Sequence, residues 1–171
     1  MLTLVIGGAR SGKSRFAQSQ ARALSETPVY VATARVLDAE LQERVRRHQA
    51  DRGPEWRTIE EPKALGSLEL VNEVVVIDCA TLWLSNWFFD LDADVEQALQ
   101  GMYNELSRLL ERQNHCIFVT NELGWGPHAE TEISRRFVDA QGFLNQELAR
   151  RASRVVLMVA GIPTVIKETA P

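Results

Sequence analysis

Near the start of the chain, Gly7-Gly8-Ala9-Arg10-Ser11-Gly12-Lys13-Ser14 reads G-x-x-x-x-G-K-S. Glycines at 7, 8 and 12 let the backbone curl with its N–H groups turned inward. A helix beginning close to Lys13 adds the positive end of its dipole, so the stretch can form a nest for an anion. Lys13 can then reach β- and γ-phosphates, and the Ser14 hydroxyl can ligate Mg²⁺. The chemistry implied is binding of a nucleoside triphosphate. A glycine-rich turn would share the letters, but Leu2-Thr3-Leu4-Val5-Ile6 before them and a helical pattern after them supply the strand, loop and helix that a phosphate-binding P-loop requires.

A second acid belongs with the loop. Val74-Val75-Val76-Ile77-Asp78 is an apolar run that ends on a carboxylate. Such a run reads as a strand buried on both faces of a parallel sheet. Asp78 then stands at the strand's C-terminal end, where ligands bind in open α/β sheets and where a Walker B acid holds Mg²⁺. Four apolar residues followed by Asp are common, and it is the P-loop upstream that gives the pattern weight. Glu122, after the apolar run Cys116–Thr120, is a second carboxylate that could accept a proton from a substrate hydroxyl. A carboxylate in that place often only orders its own loop.

His48 is the candidate nucleophile. It shares a helical face with Leu37, Leu41 and Val45, which by itself describes a core histidine with a satisfied ring. Arg44, Arg46, Arg47 and Arg52 crowd it, however, and a positive field penalises the imidazolium. A neutral imidazole beside phosphate-binding guanidiniums suits phosphoryl or nucleotidyl transfer. The arginines could equally form a solvated face, with Glu40–Arg44 and Glu43–Arg47 as i,i+4 pairs. His115 opens a strand and reads as structural, and His128 lies in a loop.

The elements that must position these groups follow in order. The first helix runs from Phe16 to Leu24, and a short strand covers Val29–Ala32. A second helix spans Asp38–Ala50 and stops at Gly53-Pro54. Trp56–Glu60 reads as a short strand, Lys63–Leu70 as a brief helix, and Val74–Asp78 as a core strand. Residues 80–89, Ala-Thr-Leu-Trp-Leu-Ser-Asn-Trp-Phe-Phe, are apolar almost all round, which suits a helix in the core, in a subunit contact or under a large ligand. An amphipathic helix covers Asp94–Arg112, with the strand Cys116–Thr120 behind it. Ile133, Phe137, Ala140, Leu144 and Leu148 mark a last long helix, before the strand Val155–Val159 and an edge strand at Thr164–Lys167. About five strands alternating with helices make an α/β fold, a RecA-like P-loop NTPase whose mostly parallel sheet carries helices on both faces. The expectation is a single domain over 1–171.

Composition narrows the setting. With a net charge of −4 the chain lacks the broad basic surface of a nucleic-acid binder. No run approaches a membrane span. The N-terminal apolar run leads straight into the P-loop and has no basic leader, so it reads as a strand and not a signal peptide. Cys79 and Cys116 have no metal or redox spacing and look like buried fillers of a reducing cytoplasm.

The ordered blocks also resemble a known family. They are Gly7–Ser14, Val31–Arg35, Arg44–His48, Trp56–Glu60, Asp78–Asn86, Thr120–Gly124, Arg136–Asp139, Gly142–Gln146 and Val159–Gly161. Together, over nearly the whole chain, they are similar to the bifunctional adenosylcobinamide kinase / adenosylcobinamide-phosphate guanylyltransferase family of cobalamin biosynthesis. After Gly126 this chain has Pro127-His128-Ala129-Glu130 where the family usually runs Ile-Val-Pro-Glu. The resemblance implies two reactions. ATP or GTP phosphorylates the aminopropanol hydroxyl of adenosylcobinamide, and GMP then passes from GTP through a histidine to adenosylcobinamide phosphate. Carried over by position, His48 is the guanylylated residue. The nucleotide contacts implied are residues 7–14, Thr33, Ala34, Arg35, Gln49, Ala50, Asp51, Arg52, Glu60 and Asp78. The resemblance also implies a homotrimer.

Overall fold

The computed structural model describes residues 1–35, 53–126 and 128–169. The helix expected over Asp38–Ala50 lies outside them, and so do His48, Gln49, Ala50, Asp51, Arg52 and Pro127. Strands β1 (Leu2–Gly7), β2 (Val29–Ala32), β3 (Arg57–Glu60), β4 (Val74–Asp78), β5 (His115–Asn121), β6 (Arg154–Val159) and β7 (Ile162–Glu168) form one sheet. The described helices are α1 (Lys13–Leu24), α2 (Ala80–Asp90), α3 (Val95–Glu111) and α4 (Glu132–Arg151). The strand order is β3-β2-β4-β5-β1-β6-β7, and β7 alone runs antiparallel to its neighbour.

The apolar strands are buried on both faces, and their side chains divide by the period of two. Leu4, Val29, Val31, Val75, Ile77, Cys116 and Phe118 join Trp83, Leu84, Phe88, Met102, Leu106, Leu144 and Leu148 from α2, α3 and α4 in one core. Val5, Tyr30, Ala32, Val76, Ile117, Val119 and Val156 face the other way, onto Ala17 and Ala21 of α1.

Two readings change. Among the described residues the sheet has seven strands, because the short segments 57–60 and 162–168 both pair into it at its two ends. The brief helix expected over Lys63–Leu70 shrinks to a 3₁₀ turn at Leu65–Ser67. There the Gly66 N–H donates to Glu105 Oε2 at 2.8 Å, and the Arg112 guanidinium donates to the Gly66 carbonyl at 3.2 Å, so α3 captures the backbone groups a helix would need. The 80–89 stretch is a helix turned mostly inward, with Trp83, Leu84 and Phe88 fully buried and Phe89 left 60% exposed.

The sheet's N-terminal end is tied by Asn114, a fully buried residue. Its Nδ2 donates to the Leu70 carbonyl at 2.8 Å, its Oδ1 accepts from the Glu73 N–H at 2.9 Å, and its own carbonyl accepts from the Met1 amine at 2.8 Å. Removing the amide strands a buried carbonyl and a partly buried N–H. Asn114→Ala is therefore expected to lower stability by about 2–3 kcal/mol, read as a lower urea midpoint at unchanged slope.

Candidate active site

Gly12 caps α1 in the left-handed region, at φ 91, which a side chain would resist. From there the loop closes into the helix through the Phe16 N–H donating to the Gly12 carbonyl at 3.0 Å. Gly7, at the end of β1, has no room for a Cβ, which would run into the Met158 carbonyl oxygen of β6. Both neighbouring strands reach over to hold the loop. The Gly161 N–H, in the β6–β7 turn, donates to the Ser11 carbonyl at 3.0 Å, and the Glu122 N–H, just past β5, donates to the Gly7 carbonyl at 3.1 Å. Gly8, Ala9 and Arg10 form the exposed crest, with Arg10 also left-handed at φ 56.

Lys13 is 7% exposed and folded over this loop. Its Nζ donates to the Gly8 carbonyl at 2.5 Å and lies 3.5 Å from Ser11 Oγ. Burial lowers its pKa, and the carboxylate of Asp78 partly offsets that effect. A desolvated ammonium inside a ring of backbone groups holds a strong positive potential for phosphate oxygens. Ser14 follows it in the first turn of α1.

Across the edge, the register pairs Gly7 with Asn121, Val119 with Asp78, and Ala32 with both Asp78 and Glu60. Residues 7, 32, 60, 78 and 121 therefore share the C-terminal edge of the sheet. One strand, β5, separates the P-loop strand from the Asp78 strand. Two strand spacings, about 10 Å, leave room for phosphates between them, and the Asn121-Glu122 end stands in that gap. Asp78 Oδ2 accepts from the Tyr30 hydroxyl at 2.9 Å, which orients the carboxylate. Glu122 Oε1 accepts from the Gly124 N–H at 2.9 Å, so it does order its loop.

Thr33, Ala34 and Arg35 leave β2 beside Asp78. The Thr33 N–H donates to the Asp78 carbonyl at 3.2 Å, its hydroxyl donates to the Cys79 carbonyl at 2.8 Å, and its own carbonyl accepts from Asn86 Nδ2 at 2.8 Å. The Thr33 hydroxyl is thus engaged in fixing the edge. Arg35 places both guanidinium ends on Asp90, at 2.6 and 2.8 Å. Lys63 adds a third contact to the same carboxylate at 2.8 Å and lies over the Trp87 ring. The hydrogen bond from Arg35, reinforced by Lys63, holds the Asp90 carboxyl far below the usual carboxylate range. Glu60 is exposed at the end of β3. His115 sits at the opposite end of the sheet, 3.3 Å from Thr3 Oγ1.

Sequence reasoning missed Tyr30, Thr81, Asn86, Asp90 and Gly161. Tyr30 has a local signal, since the alternation of β2 points it to the face of Val76, next to Asp78. The others act on partners far along the chain. Thr81 Oγ1, for example, accepts from the Asn121 N–H at 3.1 Å and from Asn121 Nδ2 at 3.2 Å.

The model of the family described as cobinamide kinase / cobinamide phosphate guanyltransferase matches residues 3–166. The chain is 41% identical over 172 residues to the bifunctional adenosylcobalamin biosynthesis protein CobP of Pseudomonas aeruginosa, covering 98% of each chain. It is 37% identical over 182 residues to the corresponding CobU of Escherichia coli K12, covering 98% of this chain and 100% of that one. Among solved structures it is similar to the flagellar accessory protein FlaH from Methanocaldococcus jannaschii. That likeness has a TM-score of 0.51 at 12% identity and covers 98% of this chain and 78% of that one, a likeness of fold. No described helix is long and apolar enough to cross a membrane.

Cys79 follows Asp78 directly, and its reactivity is testable. Burial, then the Asp78 charge, pushes its thiol up to about 12, and burial alone pushes Cys116 to about 12. Both thiols therefore stay protonated well into the alkaline range. Neither is expected to react with an aromatic disulfide reagent at about pH 8 in the native chain, and both should react in denaturant.

Proposed function

The chain belongs to the cobinamide kinase / cobinamide phosphate guanyltransferase family, and from that premise we propose that its one α/β domain, residues 1–171, carries out both transfers on adenosylcobinamide. A single observation carries the reading: Lys13 lies buried over the P-loop, with Asp78 two strands away on the same sheet edge, in a chain that matches the family over residues 3–166.

In the first transfer, the aminopropanol hydroxyl oxygen bonds to the γ-phosphorus of ATP or GTP. The bond from that phosphorus to the bridging oxygen breaks, and the nucleoside diphosphate leaves with the electron pair. The loop N–H groups and Lys13 stabilise the charge on the transferring and leaving oxygens. Asp78, oriented by Tyr30, takes the hydroxyl proton. Glu122 is the alternative acceptor, since one of its carboxylate oxygens orders the loop and β5 ends between the P-loop and Asp78. Ser14 and Asp78 offer the hard oxygen donors that Mg²⁺ prefers, and the ion would neutralise phosphate charge there.

In the second transfer, a neutral His48 nitrogen bonds to the α-phosphorus of GTP and pyrophosphate leaves. A phosphate oxygen of adenosylcobinamide phosphate then displaces the histidine, giving adenosylcobinamide-GDP. The phosphoramidate divides one difficult displacement into two easier ones. Arg47 and Arg52 supply charge to the α-phosphate. Thr33, Ala34, Arg35, Gln49, Ala50, Asp51, Glu60 and residues 7–14 complete the nucleotide contacts in this reading. For Arg35, that requires exchanging the Asp90 carboxylate for the nucleotide. The free, buried thiols suit a reducing cytoplasm. A homotrimer completes the reading, and the exposed apolar side chains Ile162 and Ile166 on β7 support a subunit contact.

Incubation with α-labelled GTP and Mg²⁺ tests the scheme. The wild-type chain is expected to take up acid-labile, base-stable label. His48→Ala should take up none while still forming adenosylcobinamide phosphate, and Lys13→Ala should lose both activities by about a hundredfold or more. Label retained by His48→Ala would remove that histidine from the mechanism and leave a kinase alone.

A further inference from the structure

Between the loop that leaves β5 and one face of α4 lies a cleft of about 270 Å³, and of its lining residues Glu122 alone enters the scheme above. Glu122, Asp139, Gln141, Gly142, Phe143 and Gln146 line it. It adjoins the P-loop, because the Glu122 N–H is bonded to the Gly7 carbonyl at 3.1 Å.

Two features of its wall are not explained by the chain's own packing. The first is Gly142, within α4. Alanine would serve a helix better there, and a Cβ built on Gly142 meets nothing within 4 Å. The space above it is open.

The second is the amide of Gln141, which is 1% exposed. Asn145 Nδ2 donates to the Asn121 carbonyl at 3.1 Å, which turns Asn145 Oδ1 inward. That oxygen accepts from the Thr120 hydroxyl at 2.7 Å and from Gln141 Nε2 at 2.9 Å, and the same nitrogen donates to Thr120 Oγ1 at 3.1 Å. Neither amide can flip without setting two oxygens against each other. Gln141 Oε1 is left closed off from water with no partner among the described residues. A buried acceptor in that state favours any donor that parts the side chains above it.

Glu122 and Asp139 line the cleft together with Gln141, so its wall carries two carboxylates as further acceptors. Such a wall repels phosphate and favours an N–H donor. Its volume falls short of the roughly 300 Å³ at which drug-sized pockets begin, so it takes one arm of a large ligand and not the whole. We propose that this cleft is the acceptor-substrate subsite and holds a primary carboxamide arm of the corrinoid while the reacting hydroxyl faces the P-loop. The inference rests on the functional reading above.

Equilibrium dialysis against cobinamide tests it, with α-labelled GTP uptake and melting temperature measured on the same proteins. Gly142→Leu fills the space with a good helix former. It is expected to weaken cobinamide retention about tenfold or more, with unchanged labelling and an unchanged or higher melting temperature. Gln146→Ala, at an exposed position, should weaken retention in the same direction by a smaller factor. Equal retention by wild type and both variants overturns the subsite. A wild-type chain that retains no cobinamide overturns the functional reading and the subsite with it.

Discussion

Backbone meets backbone at position 7, and the geometry of the phosphate loop depends on that contact. A Cβ at Gly7 would meet the Met158 carbonyl oxygen and crowd the Ser11 hydroxyl. Because the two chains approach so closely, Gly161 can bond Ser11 from one side and Glu122 can bond Gly7 from the other. The loop is therefore held by strands on both flanks and does not rely on its own turn energetics. Lys13 can be buried only because this frame supplies it with a carbonyl oxygen as partner.

Charge around the edge is arranged in two layers. Close to the loop, Lys13 loses solvation and is balanced by the charge of Asp78. Further out, Asp90 gathers Arg35 and Lys63 into a cluster at the end of α2, with Trp87 beneath the lysine. The outer cluster is solvent-accessible, so its stabilising value is modest. Its effect is positional, since it fixes the residue that precedes the 36–52 segment.

The sequence made plain what is local. The P-loop, its flanking strand and helix, and the acid closing β4 each lie within a few consecutive residues, and the structure has them where the pattern implied. The period-two alternation of β2 could have revealed Tyr30 facing Asp78, but a four-residue strand buried on both sides reads simply as apolar. The strand order was hidden. Nothing in residues 115–121 says that β5 inserts between β1 and β4, and this is what brings Glu122 nearer to the phosphate loop than its sequence neighbourhood suggested. The turn at Leu65–Ser67 was misread as a helix because the residues that capture its backbone, Glu105 in α3 and Arg112 at its C-terminal cap, lie far along the chain. His48 and the arginines around it lie outside the described residues, so their role rests on chemistry and family alone.

The parallel pairing of β1 has a consequence for biosynthesis. Its partners are Cys116–Asn121 on one side and Arg154–Met158 on the other, all more than a hundred residues downstream. The glycine loop is synthesised more than a hundred residues before the two strands that shape it. Loop closure over such separations is slow, and contacts of this kind are completed late. The nascent chain therefore exposes the apolar β1 segment with unpaired edges until β6 arrives. The loop takes its shape only once β6 has been made, long after its own residues.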